Sequence, residues 1–286
     1  MMERIDAHLH LWQLDDPQAY PWLTPELGEL YADHLPEEAA GELAENEIDG
    51  AILVQAADTL EDTAFMMRAA AEHPWVLGVV GWVDLEQPDV LEGQLETWRQ
   101  AGPLCGVRHL VHDDPRANFL ELPRVTQSLE VLAKNHIPLD VPDAFPRHLD
   151  QTIRMARHHP DLILVIDHLA KPPMGADAEA FDLWRETFSS LGALPQVFAK
   201  LSGLYVPGGA IEKRMLLPAF EVALESFGPA RMMYGGDWPV SKPGGGYGPT
   251  RKLLGSLIDT LSADQQAEIW GRTARRVYPN IKLKVG

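Results

Sequence analysis

The sequence predicts a single (β/α)8 barrel, the TIM-barrel class of α/β fold, and three observations lead there. Short apolar runs that suit buried strands alternate with segments of helical periodicity along the whole chain, and eight such runs can be counted. The length of 286 residues is near the ~250 residues typical of one closed barrel. No run leads into a G-x-G-x-x-G turn or a P-loop, the marks that would favour an open, doubly wound sheet. No repeat, low-complexity stretch or linker divides the chain. Residues 1–286 are therefore expected to form one domain, with terminal helices from about residue 250.

The elements follow in order. In Arg4-Ile5-Asp6-Ala7-His8-Leu9-His10-Leu11-Trp12 the apolar residues alternate with Asp6, His8, His10 and Trp12, the period of a strand. Residues 13–34, rich in Pro, Asp and aromatics, read as a long first loop, and ordered loops of that length usually serve function. Residues 37–47 read as a helix and the apolar run 50–56 as a buried strand. The alternation then repeats: helix 60–73, strand 76–83, helix 90–101, strand 105–111. In 122–133, Leu122, Val125, Leu129, Leu132 and Ala133 fall at helical spacing, and 137–141 follows as a strand. Helix 148–158 precedes strand 162–168, and helix 180–191 precedes strand 197–203. Helix 217–227, strand 231–236 and helices 253–261 and 264–277 complete the chain.

Composition narrows the function. Twenty-four Lys and Arg against 42 Asp and Glu give a formal charge of −18, which disfavours nucleic acid or an anionic membrane as the main partner. A small anionic ligand is still compatible, since a local basic pocket can overrule the global field. The single cysteine, Cys105, allows no intrachain disulfide and no Cys-rich metal site, and its expected role is a buried apolar residue. No secretory signal precedes Ile5 and no apolar run approaches ~18 residues, so a cytoplasmic protein is expected. Oligomeric state is open; a homo-oligomer is compatible with everything in the sequence.

In a barrel the chemistry sits at the C-terminal ends of the strands and in the loops that follow. Those positions hold a short list: His8 and His10 after strand one, Arg108, His109 and His112 after strand four, and Asp167, His168 and Lys171 after strand six. Lys200 and Ser202 belong to strand seven, and Asp237 follows strand eight. Barrel closure sets strands one and eight side by side, so Asp237 is expected to reach the volume of His8 and His10. Three imidazoles (His8, His10, His168) and one carboxylate (Asp237) suit Zn²⁺ or a similar divalent ion. The same set could instead polarise a carbonyl and activate water with no metal. Arg108 is a candidate for substrate oxygens, or pairs with a carboxylate such as Asp84 or Asp140. His109 should point away from Arg108 and pack, and Lys200, if inward, needs a buried partner. Trp12, Tyr20, Trp22 and Trp82 are candidates for an aromatic wall; His112 and Asp143 lie just past strand ends, within possible reach of substrate.

Together these motifs carry a resemblance. His8-x-His10-x-Trp12, Gly106-Val107-Arg108, Asp167-His168 with Lys171-Pro172, Lys200-Leu201-Ser202-Gly203-Leu204 and Gly236-Asp237-Trp238-Pro239 resemble the amidohydrolase superfamily over residues 4 to about 278. More narrowly they resemble its lactonase-type branch, amidohydrolase 2, which includes sugar-acid lactonases and 2-pyrone-4,6-dicarboxylate lactonase. The stretch Tyr20-Pro21-Trp22-Leu23 is more similar to the sugar-lactonase members. The resemblance implies water attack on a carbonyl carbon, with Asp237 as general base or water holder and His8, His10 and His168 polarising the carbonyl or binding metal. The lysine that bridges two metals in many superfamily members is absent from Val107-Arg108-His109, which implies one divalent ion or none. The small molecule expected is a lactone of a sugar acid. A metal-dependent, non-oxidative decarboxylase of the same superfamily, a pyrone-dicarboxylate lactonase and a ligand-binding barrel without activity are the alternative readings.

Overall fold

The computed structural model describes residues 2–15, 19–142, 144–175, 178–204 and 212–283. Eight parallel strands form one sheet in sequential order: β1 (Ile5–Leu9), β2 (Gly50–Val54), β3 (Val76–Gly81), β4 (Leu104–Arg108), β5 (Leu139–Val141), β6 (Leu164–Ile166), β7 (Val197–Leu201) and β8 (Met232–Tyr234). The sheet curls until its edges meet. Asp237 N donates to His8 O at 2.8 Å and His10 N to Trp238 O at 2.7 Å, and Leu9 bridges Trp238 in parallel. The expected (β/α)8 barrel is the observed one.

The expected helices are present with small shifts at their ends: α1 (Pro36–Glu45), α2 (Leu60–Glu72), α3 (Pro88–Ala101), α4 (Pro123–Lys134), α5 (Leu149–His158), α6 (Ala178–Gly192), α7 (Lys213–Phe227) and α8 (Tyr247–Ile258). Proline at the first turn starts α1, α3 and α4, where its missing N–H leaves nothing unsatisfied. Thr59 caps α2 by accepting from Asp62 N. The segment read as one last helix is α9 (Ala263–Ala267), a π-type turn over Glu268–Arg272, and α10 (Thr273–Val277).

Along each strand one set of side chains packs outward on the helices and the other fills the barrel. Leu139, Val141, Ala199 and Leu201 belong to the outer core; Ile52, Val54, Leu77, Val80, Val165 and Met233 fill the inside, with Tyr278 and Val277 closing its lower end. Towards the C-terminal mouth the filling becomes ionic. Arg108, Asp140, Asp167 and Lys200 are all buried there, and Lys200 and Asp167 are fully so. Such charges are tolerable inside only because they are paired.

Candidate active site

The two histidines of β1 reach the site through a break in the strand's regularity. Register against β2 slips between Asp6 and Leu9, so one extra residue is accommodated on β1. Asp6 points away to the Tyr247 hydroxyl of α8 (2.7 Å), while its other oxygen accepts from His8 N at 2.8 Å and Gly236 N at 2.9 Å. One carboxylate thus ties the strand that carries His8 to the turn that carries Asp237. Gly236 leaves no alternative residue there, because a Cβ would run into Tyr247 and Asp6.

Three imidazoles and one carboxylate converge. The Nε2 atoms of His8, His10 and His168 lie 3.7, 3.5 and 3.9 Å from Asp237 Oδ1. Their other ring nitrogens are engaged elsewhere. His10 Nδ1 donates to Val54 O (2.7 Å), His168 Nδ1 meets Ser202 Oγ (2.8 Å), and His8 Nδ1 lies 3.2 Å from Asp167 Oδ1. A carbonyl can only accept, so the His10 proton is on Nδ1 and its Nε2 lone pair faces the cluster.

Electrostatics favour the same protonation states. Burial drives the His8 imidazole well below its ordinary range despite the Asp167 charge, and burial lowers His10 as well. Burial also opposes ionisation of Asp237, but the nearby His168, His10, His8 and Lys171 outweigh it and hold the carboxyl below the ordinary carboxylate range. Neutral His8 and His10 imidazoles beside an ionised Asp237 are protonation states that suit a divalent cation.

The donor set fits such an ion. His8 Nε2 and His10 Nε2 face each other at 3.0 Å, and neither oxygen of the buried Asp237 completes a hydrogen bond among the described residues. A cation between them would satisfy all of these atoms at once. The nitrogen-and-oxygen chemistry suits zinc and its neighbours.

Beneath the cluster lies the ionic layer. Asp167 Oδ2 accepts from Arg108 Nη1 at 3.1 Å, and its Oδ1 is 3.0 Å from Lys200 Nζ. Lys200 Nζ donates to Asp140 Oδ2 at 2.5 Å, and Tyr278 Oη donates to the same carboxylate. Arg108 is therefore paired with Asp167, not with Asp84 or Asp140, because Lys200 has taken Asp140. Lys200 has the buried partners it needed. Burial works against the Asp167 anion, yet Lys200, His8 and Arg108 keep its carboxyl well below the ordinary range.

A cavity of about 290 Å³ opens above the cluster. His10, Arg108, His168 and Asp237 lie at its floor, with His112, Asp113 and Lys171 as polar groups on its sides and Trp22, Leu110 and Val240 as apolar wall. Of the four aromatics expected to form a wall, Trp22 alone lines this cavity. Trp12 is fully buried behind it, edge-on to Trp22 at 5.3 Å, with its Nε1 donating to Ala32 O. Tyr20 reaches α2 instead and donates to Asp62 Oδ1 at 2.9 Å. Trp82 Nε1 donates to His109 Nδ1, and His109 stacks on Phe119 with ring centres 4.1 Å apart. His109 packs, as its place on the strand predicted. Asp143 lies outside the described residues.

The wall is joined to the base of the site by edge-to-face rings. Trp22 meets Trp12, Trp12 meets His34 at 5.1 Å, and His34 meets Trp238 at 5.3 Å, the residue after Asp237. The backbones of Trp12 and His34 also exchange two hydrogen bonds, which close the first loop at its base.

Lys171, among the strand-end candidates in the sequence, lines the cavity, and so does Asp113, to which the sequence assigns no role. Asp113 follows His112 beyond the end of β4, a position that was itself the available signal.

The closed barrel thus brings His8, His10, His168 and Asp237 together at its C-terminal mouth, where barrels of this kind carry their chemistry. The chain belongs to the amidohydrolase family, whose model matches residues 5–279. It is 33% identical over 287 residues to an L-fucono-1,5-lactonase of Burkholderia multivorans, covering 96% of this chain and 95% of the relative. An L-fucono-1,5-lactonase of Burkholderia ambifaria is 30% identical over 283 residues, with 97% and 96% covered. Among solved structures, a zinc-bound amidohydrolase from Burkholderia multivorans superimposes with a TM-score of 0.89 at 30% identity, covering 96% of this chain and 98% of that one.

Proposed function

We propose that the protein hydrolyses lactones of sugar acids, opening the ring to the hydroxy acid. The observation that carries this reading is the convergence of three imidazole Nε2 atoms on the ionised Asp237 at the floor of a small, one-walled aromatic cavity. Its similarity to L-fucono-1,5-lactonases supports the substrate class.

His8, His10, His168 and Asp237 would hold one divalent ion, zinc by donor type, which when bound supplies Lewis acidity to the lactone carbonyl and acidity to water. Asp237 takes the proton of the attacking water; its carboxyl is held below the ordinary range, so it is fully ionised at neutral pH. Arg108, 3.4 Å from His8 Nε2 and anchored by Asp167, lines the floor with a fixed positive charge for the oxygen that becomes negative. Trp22 offers its ring to the C–H face of the sugar, while His112 and Asp113 stand near its hydroxyls.

The test is a pH-indicator screen of five- and six-membered aldonolactones with the purified protein, before and after chelation and after zinc is restored. Turnover lost with chelator and recovered with zinc is the expected result. Absence of lactone opening, or release of CO₂ from an aromatic acid by the same protein, would overturn the reading.

A further inference from the structure

We propose that Lys171 is the general acid of ring opening, giving the proton that the leaving ring oxygen requires; the proposal rests on the lactonase reading above.

Four consecutive residues without glycine, His168, Leu169, Ala170 and Lys171, have φ of 55°, 51°, 60° and 57°. Left-handed backbone is costly for an L-residue, so a run of four persists only where its surroundings impose it. The surroundings do impose it. Lys171 N donates to His168 O at 2.9 Å, Phe145 N to Ala170 O at 3.1 Å, and Trp184 Nε1 to Leu169 O at 2.9 Å. Ser202 holds the His168 ring, and Gly203 leaves room for it.

The turn has a geometric effect. In a tight turn, residues three apart lie one above the other. Leu169 and Ala170 are fully buried, whereas His168 and Lys171 both line the cavity. The strained backbone therefore delivers an imidazole of the cluster and an ammonium to one cavity together. Lys171 Nζ donates to Gly203 O at 3.3 Å, and its charge is among those that keep Asp237 ionised.

Chemistry gives the ammonium a task. An aliphatic lactone leaves as an alkoxide, which is strongly basic and needs a proton as the acyl–oxygen bond breaks. Arg108 is too weak an acid to give one, whereas an ammonium can. In the step proposed, the water oxygen bonds to the carbonyl carbon and its proton goes to Asp237. The carbon–ring oxygen bond then breaks, and the electron pair left on oxygen takes a proton from Lys171 Nζ. The neutral amine regains a proton from the Asp237 carboxylic acid through solvent. The sum is lactone plus water to hydroxy acid, with both residues restored.

The test uses the metal-loaded enzyme on an aldonolactone that the wild type opens. Lys171→Arg keeps the charge but cannot release a proton, and is expected to lose about 100-fold or more in kcat, as is Lys171→Ala. Methylammonium should restore part of the Lys171→Ala activity, and tetramethylammonium, which has charge but no proton, should restore none. Rescue also shows that the variant is folded. Lys171→Arg within about threefold of wild type, or no rescue by methylammonium, would overturn the proposal. Failure of the lactonase reading is distinct, because the wild type itself would then open no lactone.

Discussion

His8 Nδ1 and Asp167 Oδ1 lie 3.2 Å apart in a contact sealed from solvent, and this pair joins the site to the ionic layer below it. The carboxylate orients the ring and makes Nε2 the better electron donor. Asp167→Asn keeps the shape but removes the charge. Zinc affinity, measured by competition with a chromogenic chelator, is expected to fall about 10- to 100-fold.

Asp237→Asn should abolish most turnover, by about 1,000-fold in kcat, because an amide cannot accept the water proton. Steady-state kinetics on the best aldonolactone checks this. An unchanged kcat would remove Asp237 from the mechanism.

Trp22→Ala removes the half-buried ring that lines the cavity and leaves Trp12 behind it. Stacking worth about 1.4 kcal/mol corresponds to about tenfold in affinity. The expected result is a KM raised by about that factor with kcat less affected, read from Michaelis parameters.

Gly203 has φ of +58°, and a Cβ there would enter the His168 ring. Gly203→Ala therefore adds backbone strain of about 1 kcal/mol and displaces the His168 ring from the cluster. A lower melting temperature together with a loss of about 100-fold in activity is expected, since small misplacements at a reacting centre are that costly.

Stability should fall with acid through His109. Burial pushes this imidazole down to about 4, and the nearby Asp114 only partly offsets that. Between the unfolded value of 6.5 and about 4, the unfolded chain gains a proton that the folded one refuses, so stability is complete above 6.5 and declines as pH falls. The loss is of order 3 kcal/mol by pH 4. His109→Phe, which preserves the stack on Phe119, should flatten the dependence of urea midpoint on pH across that range.

The barrel was legible because its strands and helices differ in hydrophobic period, and period survives without knowledge of tertiary contacts. His8, His10, His168 and Asp237 were legible because the fold fixes which strand ends meet. The local slip in β1 was not. Strict alternation puts Asp6, His8 and His10 on one face, whereas the register shift turns Asp6 toward Tyr247. That shift depends on β2 and on Asp6 bonding His8 N, neither of which a single strand's pattern contains. The wall shows the same limit. Trp12, Tyr20, Trp22 and Trp82 are equally suited chemically, and each gives its polar hydrogen to a partner 20 to 42 residues away in the chain, so which ring faces the cavity is set by packing that the local sequence does not contain. Arg108 found Asp167 because Lys200 had occupied Asp140, a competition that only packing decides.

The first loop leaves and re-enters the barrel where Trp12 bridges His34. Such a segment behaves as a cassette. It can be exchanged for another of different length and side chains while the strands and the His-His-His-Asp centre stay in place. The exchange has a condition: the new segment must still present rings to Trp238 and seats for Asp62 and Ala56, which Tyr20 and Trp22 now occupy. Such an exchange would alter the wall that Trp22 forms and leave the rest of the cavity lining, from Arg108 to Val240, to the other strand ends and loops.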